Sequence, residues 1–354
     1  MSGDTRSTFD GFERDLVRAL QPIRQGMLAQ VLFQFLTTGW YESLTRGAGR
    51  TVAELADDLG LDAPRFRGLL RYLDNEGVVE LRADDTVQLT DFGEQLGRFR
   101  PWYELLVGGY GLSFRNLAAV LKSDGPYAGR EAAWVATGSC GISQFDALPM
   151  TRALLARIAT TVRTVVDIGC GDGSYLLDLC AAVPAVRGIG FELDASTVDA
   201  GNASARARGL ADRIAIRQGH RGTDVPDVDD LDGPICFITA FVLQELLEQS
   251  GRGAVVALLR DSFDRHPDAH WIVVEVDHRP DDPDVMGHPL GLAYYNPYYL
   301  LHVLTEQRLE TVGFWTELFA EAGVRVLAEE RPDPHIDSLG LKVGFLLGRQ
   351  SEAR

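Results

Sequence analysis

The chain has 354 residues, of which 45% are hydrophobic, so it is long enough for two domains with a large buried core. Its formal net charge of −17 repels nucleic-acid phosphates and argues against a nucleic-acid partner. No apolar run reaches the ~18 residues of a membrane helix, the polar N-terminus is unlike a signal peptide, and the four cysteines form no CxxC pair. Composition thus predicts a cytoplasmic protein with free thiols.

Residues 9–46 carry apolar side chains at helical spacing, and the stretch from Met27 to Leu36 is almost entirely apolar. A helix with so broad an apolar face must pack against a partner, either within its own domain or on a second subunit. We predict that this helix is buried at the twofold interface of a homodimer.

Residues 51–90 are typical of a winged helix. Thr51 and Glu54 form a capping box for a short helix, Asp62 starts a second helix, and two short strands follow. In DNA-binding proteins the second helix of such a unit reads the major groove. Here its arginines alternate with acids, which is not the basic footprint that DNA binding requires. We therefore predict no nucleic-acid partner.

Residues 95–160 are mostly helical, with glycine and aromatic interruptions that could roof a pocket. From residue 161 onward, strands and helices alternate, which predicts an α/β fold with a doubly wound, Rossmann-like parallel sheet. The last two strands are expected to form an antiparallel pair. The predicted strands are Thr164–Ile168, Gly188–Phe191, Ile214–Arg217, Ile235–Thr239, Trp271–Val276, Val324–Glu329 and Lys342–Leu347.

A glycine-rich turn joins the first predicted strand of this sheet to its helix. Asp167 lies near the strand end, and Gly169, Gly171 and Gly173 let the backbone turn sharply and approach a ligand closely. The turn lacks the Lys-Ser/Thr of a P-loop, and its acids suit a cationic ligand better than a pyrophosphate. Glu192 closes the next strand, where a carboxylate can accept both hydroxyls of a ribose. The pattern resembles motif I of the S-adenosylmethionine (SAM) methyltransferases, which implies SAM as the cofactor.

The layout of the whole chain resembles the small-molecule methyltransferases of the plant caffeate and hydroxyindole type and their bacterial relatives. The resemblance implies a helical and winged-helix dimerisation domain over 1–100, a helical linker that roofs the substrate pocket over 101–160, and a SAM-binding catalytic domain over 161–354. After the third strand this family has Gly-Asp, with the Asp on the adenine amine, whereas this chain has Gly219-His220. The resemblance therefore extends the predicted cofactor site to Gly219 and His220.

The segment after the fourth strand of the sheet departs from the oxygen methyltransferases of this type. Those enzymes place a His-Asp pair there, and the His takes the proton of the substrate hydroxyl. This chain has Gln244 at that position, and an amide cannot act as a general base at neutral pH. Two alternatives follow: either Glu245 acts as the base of a small-molecule O-methyltransferase, or the chemistry differs. A third alternative is a SAM-binding regulator that acts through the winged helix.

A bacterial subgroup, the α-keto acid C-methyltransferases, also resembles this chain. Its members methylate the carbon next to the ketone and use a divalent metal, which implies Gln244, Glu245 and His302 as catalytic residues and metal ligands, with His288 as a second candidate. An iron or zinc ion chelated by the keto acid would stabilise its enolate as a Lewis acid. We predict C-methylation of the β-carbon of an α-keto acid.

Short matches narrow the resemblance further. The sequence of Leu20–Arg24 and the Gln-Glu pair look most like those of the 2-ketoarginine methyltransferases. This resemblance implies an acidic pocket for the substrate guanidinium, but it does not identify the acidic residue. Four tyrosines of the later helix could line the substrate pocket or form a packed core, and the sequence does not decide between the two. They are Tyr294, Tyr295, Tyr298 and Tyr299.

Overall fold

The computed structural model describes residues 11–46, 49–158, 161–219, 225–228, 231 and 233–349. The chain divides into two compact units, the first ending at Gly109 and the second beginning at Tyr110. Each unit has its own hydrophobic core. No helix in the described ranges is long and apolar enough to cross a membrane.

The first unit combines helices with a small antiparallel sheet whose strand order is β1-β3-β2. The predicted capping box is present, because the Thr51 side chain accepts from the Glu54 amide and the Glu54 carboxylate accepts from the Thr51 amide. The helices are α1 Phe12–Thr37, α2 Trp40–Thr45, α3 Val52–Leu59, α4 Ala63–Asn75, α5 Asp91–Leu96 and α6 Arg100–Tyr103; the strands are β1 Arg50–Thr51, β2 Val79–Leu81 and β3 Thr86–Leu89.

Helix α4 is the helix that would read DNA in a nucleic-acid-binding protein. Each of its arginines lies beside an acid: Arg65 is 4.0 Å from Asp62, and Arg71 is 2.6 Å from Asp74. Arg67 is 2.8 Å from an acid of the β2–β3 loop. These pairs neutralise the positive charge that phosphate contacts would need, which supports the prediction that the unit binds no nucleic acid.

Helix α1 divides its apolar residues between two environments. Toward its C-terminal end, Leu32, Phe35 and Leu36 are buried in the core of the first unit. Toward its N-terminal end, large apolar side chains remain exposed, with Ile23 at 55% and Met27 at 62%. The C-terminal part of the apolar stretch is therefore an intrachain element, and the apolar side chains that stay exposed lie earlier in the helix, up to Met27.

The second unit is built on a seven-stranded sheet with the order β6-β5-β4-β7-β8-β10-β9. The strands β4 to β8 pair in parallel, and β10 pairs antiparallel with both β8 and β9. The doubly wound sheet and its terminal antiparallel pair are thus confirmed. The strands are β4 Thr164–Ile168, β5 Arg187–Glu192, β6 Ile214–Gln218, β7 Ile235–Ala240, β8 His270–Val276, β9 Val324–Glu330 and β10 Lys342–Arg349.

Helices cover both faces of this sheet, so its central strands are buried on both sides and their sequences are continuously apolar. The chain order reverses between β4 and β7, where an open α/β sheet binds its ligands at the carboxyl ends of the strands. The helices are α7 Leu117–Val120, α8 Ala132–Ser143, α9 Ala147–Leu155, α10 Ser174–Ala182, α11 Ala195–Ala207, α12 Leu243–Ser250, α13 Arg252–Arg265, α14 Pro283–Gly287, α15 Asn296–Leu304 and α16 Val312–Glu321.

Candidate active site

The glycine loop after β4 has the backbone that the sequence predicts. Gly169, Gly171 and Gly173 all have positive φ, at 72°, 56° and 74°. A Cβ at Gly169 would lie 2.8 Å from Val242, in the loop after β7. Glycine is therefore required both for the turn and for the close approach of the β4 and β7 loops, which together border the switch point of the sheet.

Two acids of the predicted cofactor site meet beside this loop. Asp167 is buried, and burial, reinforced by the nearby charge of Glu192, raises its pKa to about 8. The Glu192 carboxylate accepts from the backbone amides of Gly171 at 3.1 Å, Leu193 at 2.8 Å and Asp194 at 3.1 Å. The glycine loop and the carboxylate at the end of β5 are thus joined by hydrogen bonds.

The end of β6 lies next to this carboxylate. The amide of Gly219 donates to the Glu192 carbonyl at 3.0 Å, and Gly219 has a φ of 128° that suits glycine. The structure therefore brings Gly219 to the same edge of the sheet as the glycine loop. The predicted adenine contact, His220, lies outside the described residues.

The loop after β7 presents Gln244 in a strained setting. Phe241 has a φ of 61°, which is uncommon for a bulky residue, and α12 begins two residues later. Gln244 is buried, and its backbone N–H donates to the Glu275 carboxylate at 3.4 Å. Its side-chain oxygen Oε1 is buried with no hydrogen-bond partner in the described part of the chain. A buried acceptor left unpaired is costly, so this atom is available for a ligand donor.

Glu275, on β8, is a buried carboxyl group beneath the start of α12. Burial raises its pKa to about 8, so it is mostly protonated at neutral pH. Its second oxygen, Oε2, also has no partner among the residues that the structure describes. We did not expect this residue from the sequence, although an acid inside the apolar run Trp271–Val276 is itself an indication of a functional position.

Glu245 does not stand free beside Gln244. Its Oε1 atom accepts from the Arg130 guanidinium at 2.7 Å and from the Gln307 amide at 2.8 Å. The side chains of Arg130 and Glu245 are 29% and 31% exposed, so solvent or a ligand can reach this pair. Tyr110 joins the group through a contact of 3.5 Å from its hydroxyl to Gln307. Three of these residues come from segments where the sequence has no motif, which is why sequence reasoning missed them.

His302, on α15, is buried and fixed in one orientation. Its Nδ1 atom lies 2.7 Å from the Tyr298 carbonyl oxygen, which can only accept, so Nδ1 carries the proton and Nε2 carries the lone pair. The two rings are 4.0 Å apart. Burial, and to a smaller degree the charge of Arg130, lowers the pKa of His302 to about 3, so the imidazole is neutral at neutral pH.

The predicted metal ligands do not form a donor set that suits a divalent cation. The Glu245 carboxylate is already paired with the Arg130 guanidinium, and a metal cation bound to the same carboxylate would be repelled by that positive charge. The remaining donors are one amide oxygen and one imidazole. No group of three or more His, Cys, Asp and Glu residues in the described ranges is arranged to hold a metal. The metal site therefore stays a prediction without support.

His288, the second candidate for a metal-binding histidine, has a contact at each of its two ring nitrogens. Nδ1 accepts from the Leu290 amide at 3.1 Å, and Nε2 lies 3.3 Å from the Ser338 hydroxyl. These contacts indicate that His288 stabilises the local loop structure.

The four tyrosines near α15 are all buried. Two of them donate hydrogen bonds through their hydroxyl groups. Tyr295 donates to the Asp337 carboxylate, and Tyr299 donates to the backbone carbonyl of Asp277 at 2.9 Å. Tyr298 is the one that lies against His302. The group is therefore a packed aromatic cluster, and Tyr298 is its link to the candidate site.

Comparisons with known proteins identify the family of the chain. No protein-family model matches the chain. A 2-ketoarginine methyltransferase from Streptomyces arginensis is 49% identical over 348 residues, which cover 97% of this chain and 99% of the relative. The chain belongs to the SAM-dependent small-molecule methyltransferases. A second relative of this methyltransferase, an indolepyruvate C-methyltransferase from Streptomyces griseus, is 28% identical over 77% of the chain and 84% of the relative.

Solved structures share the fold of this methyltransferase. The mitomycin 7-O-methyltransferase MmcR superposes with a TM-score of 0.67 at 20% identity, over 96% of this chain and 100% of MmcR. The O-methyltransferase NcsB1 from neocarzinostatin biosynthesis, solved with S-adenosyl-L-homocysteine, has a TM-score of 0.59 at 19% identity, over 91% of this chain and 96% of NcsB1. At these identities the likeness establishes the fold alone.

Removal of the Glu192 carboxylate is expected to weaken SAM binding at least tenfold. The reason is the loss of the predicted charge-assisted hydrogen bonds to the ribose, each of which would contribute about 1.5–3 kcal/mol. Calorimetric titration of Glu192→Ala with SAM measures the effect. Asp199→Ala is the matched control, because Asp199 is an exposed acid on the following helix. Equal affinities in the two variants would mean that the ribose acid lies elsewhere.

Proposed function

We propose that this methyltransferase transfers a methyl group to the β-carbon of an α-keto acid, with 2-ketoarginine as the leading substrate. The observation that carries the proposal is the 49% identity, over nearly the full length of both chains, to a 2-ketoarginine methyltransferase. The relative named as an indolepyruvate C-methyltransferase supports transfer to carbon. Gln244 adds a chemical reason, because an amide in place of a base does not suit deprotonation of a phenol.

The cofactor site in this proposal consists of Asp167, the glycine loop, Glu192 and Gly219. SAM, when bound there, supplies a methyl group on a positively charged sulfur. The carboxylate of Glu192 is suited to the ribose hydroxyls, and the positive φ values of the loop glycines leave the backbone open to close approach. His220 stays a sequence-based prediction for the adenine contact, since it lies outside the described residues.

The reaction needs a carbon nucleophile. A base takes a proton from the β-carbon, and the C–H electron pair forms an enolate across the β-carbon, the α-carbon and the keto oxygen. The β-carbon of the enolate then bonds to the methyl carbon, and the electrons of the broken C–S bond stay on sulfur. The products are the β-methylated keto acid, S-adenosylhomocysteine and one proton.

His302 is the proposed base, because its contact with the Tyr298 carbonyl places the proton on Nδ1 and the lone pair on Nε2. Burial lowers the pKa of the free imidazole to about 3, so the ring is unprotonated at neutral pH, although a pKa this low makes it a weak base. A bound keto acid would bring a negative charge next to the ring, which favours the imidazolium and raises this pKa during the reaction.

Gln244 is proposed to orient the substrate, since its buried Oε1 atom lacks a donor from the described residues. The metal-stabilised enolate predicted from the sequence remains a separate hypothesis. The ion pair of Glu245 with Arg130 does not support it, and no step above depends on a metal.

The test is a methylation assay with 2-ketoarginine, indolepyruvate, phenylpyruvate and a catechol, each with and without prior treatment of the enzyme with a chelator. We expect turnover of keto acids and none of the catechol. Methylation of the catechol but of no keto acid would contradict the proposal and favour the O-methyltransferase alternative. Loss of keto acid turnover after chelation, with recovery on addition of iron or zinc, would establish the metal hypothesis in place of metal-free enolisation.

We also propose that the enzyme is a homodimer joined through the exposed apolar half of α1. This half and α4 border an apolar groove of about 670 Å³, lined by Ile23, Gly26, Met27, Gln30, Val31, Leu69 and Tyr72. Size-exclusion chromatography with light scattering should give twice the chain mass of 38.8 kDa. Ile23→Asp should shift the protein toward the single-chain mass, because a charge in an apolar interface is costly. A wild-type monomer at micromolar concentration would contradict this proposal.

A further inference from the structure

We propose that Glu245, supported by Gln307, is the residue that recognises the guanidinium group of the substrate, and that Arg130 occupies this position in the structure as an internal mimic. The inference rests on the proposed function and names the acid that selects the substrate side chain. It gives Glu245 a binding role in place of the base or metal-ligand roles that the sequence suggests.

The first argument is that this site already holds a guanidinium. The Glu245 carboxylate accepts from Arg130 at 2.7 Å, and the Gln307 amide donates to the same oxygen at 2.8 Å. The planar guanidinium matches a carboxylate in shape as well as in charge. A substrate guanidinium can therefore make the contact that Arg130 makes.

The second argument is that Arg130 can leave. It lies in residues 126–131, a segment with no helix or strand between α7 and α8. About a third of each side chain of the pair is exposed, so the pair opens toward solvent rather than into the core. A substrate guanidinium that replaced Arg130 would make the same charge-assisted contact, so the exchange leaves the Glu245 carboxylate paired.

The third argument is the composition of the surrounding side chains. Gln244 and Gln307 are amides without charge, and the Gln307 amide donates to the Glu245 carboxylate. Glu245 is the acid of this group that already accepts from a guanidinium, so it is the one suited to a cationic substrate end.

The experiment compares two keto acids that differ in charge but hardly in shape: 2-ketoarginine and its uncharged ureido analogue, the keto acid of citrulline. Wild-type kcat/KM should favour 2-ketoarginine by at least about tenfold, as the loss of a charge-assisted contact implies. In Glu245→Gln this ratio should fall close to one. The matched control is Glu248→Gln, which removes the same charge from the next turn of α12 and should keep the wild-type ratio.

Arg130→Met provides a second, independent readout. If Arg130 is a mimic, its removal should lower the KM for 2-ketoarginine or leave it unchanged, because the substrate no longer competes with it. A rise in KM by the same factor for both keto acids would mean that Arg130 itself binds the substrate, which would overturn the proposal. Circular dichroism and SAM titration of each variant establish that it is folded.

The inference also fails if the wild-type enzyme does not discriminate between the two keto acids, or if Glu245→Gln keeps the preference for 2-ketoarginine. Either result leaves C-methylation of keto acids intact. The proposed function fails in a different way, when neither keto acid is methylated by the wild-type enzyme.

Discussion

Replacement of His302 by alanine is expected to lower kcat by about 10²–10⁴-fold, the usual contribution of a positioned general base, while SAM affinity stays unchanged. The separation follows from the fold, because His302 lies on α15, whereas the glycine loop follows β4 and Glu192 is the last residue of β5. Steady-state kinetics with 2-ketoarginine and calorimetric titration with SAM measure the two quantities on the same preparation.

The matched control is His288→Ala, because the ring of His288 bonds to Leu290 and Ser338 and has no role in the proposed chemistry. This control should retain wild-type kcat. Metal analysis of wild type and His302→Ala adds a third readout. A metal present in the wild type and lost in the variant would identify His302 as a ligand, and a variant with full turnover would exclude it from catalysis.

A second large effect is expected at the buried ion pair of Asp146 and Lys342. Both side chains are almost fully buried, and the Lys342 ammonium lies 5.0 Å from the ring centroid of Tyr294. Burial disfavours the charged lysine, but the Asp146 carboxylate outweighs this and raises the Lys342 pKa. Asp146→Asn leaves an uncompensated buried charge, so we expect a loss of about 3–5 kcal/mol in the free energy of unfolding.

Urea unfolding, followed by tryptophan fluorescence, measures this loss. The double variant Asp146→Asn with Lys342→Met is the internal control, because it removes both charges at once. The destabilisation of the double variant should be clearly smaller than the sum of the two single effects, because each single variant leaves one buried charge without its partner. Single variants that cost less than about 1 kcal/mol, or that add in the double variant, would show that the pair is not energetically coupled.

The sheet could be predicted from sequence because its strands are buried on both faces. The run Trp271–Val276 is apolar at nearly every position, which is how a central strand of a covered sheet differs from a half-exposed one. The glycine loop could be predicted for a related reason: the positive φ values at Gly169 and Gly171 leave few other residues possible. Both features are local, so a single sequence reveals them.

The environment of Glu245 could not be predicted in the same way. Arg130 precedes Glu245 by 115 positions and Gln307 follows it by 62, and both lie in irregular segments without a periodic pattern. Only the folded chain brings them together. The same limitation applies to α1, where the sequence indicates an apolar helix but does not say that Leu32 and Phe35 face its own core while Met27 remains exposed.

The most direct test of the account is the position of the transferred methyl group. The enzyme is incubated with 2-ketoarginine and SAM whose methyl carbon is labelled with carbon-13, and the product is examined by nuclear magnetic resonance. The account predicts a methyl signal coupled to the proton on the β-carbon of the keto acid. A methyl signal with the shift and coupling of a methoxy group would place the label on oxygen and contradict the proposed carbon nucleophile.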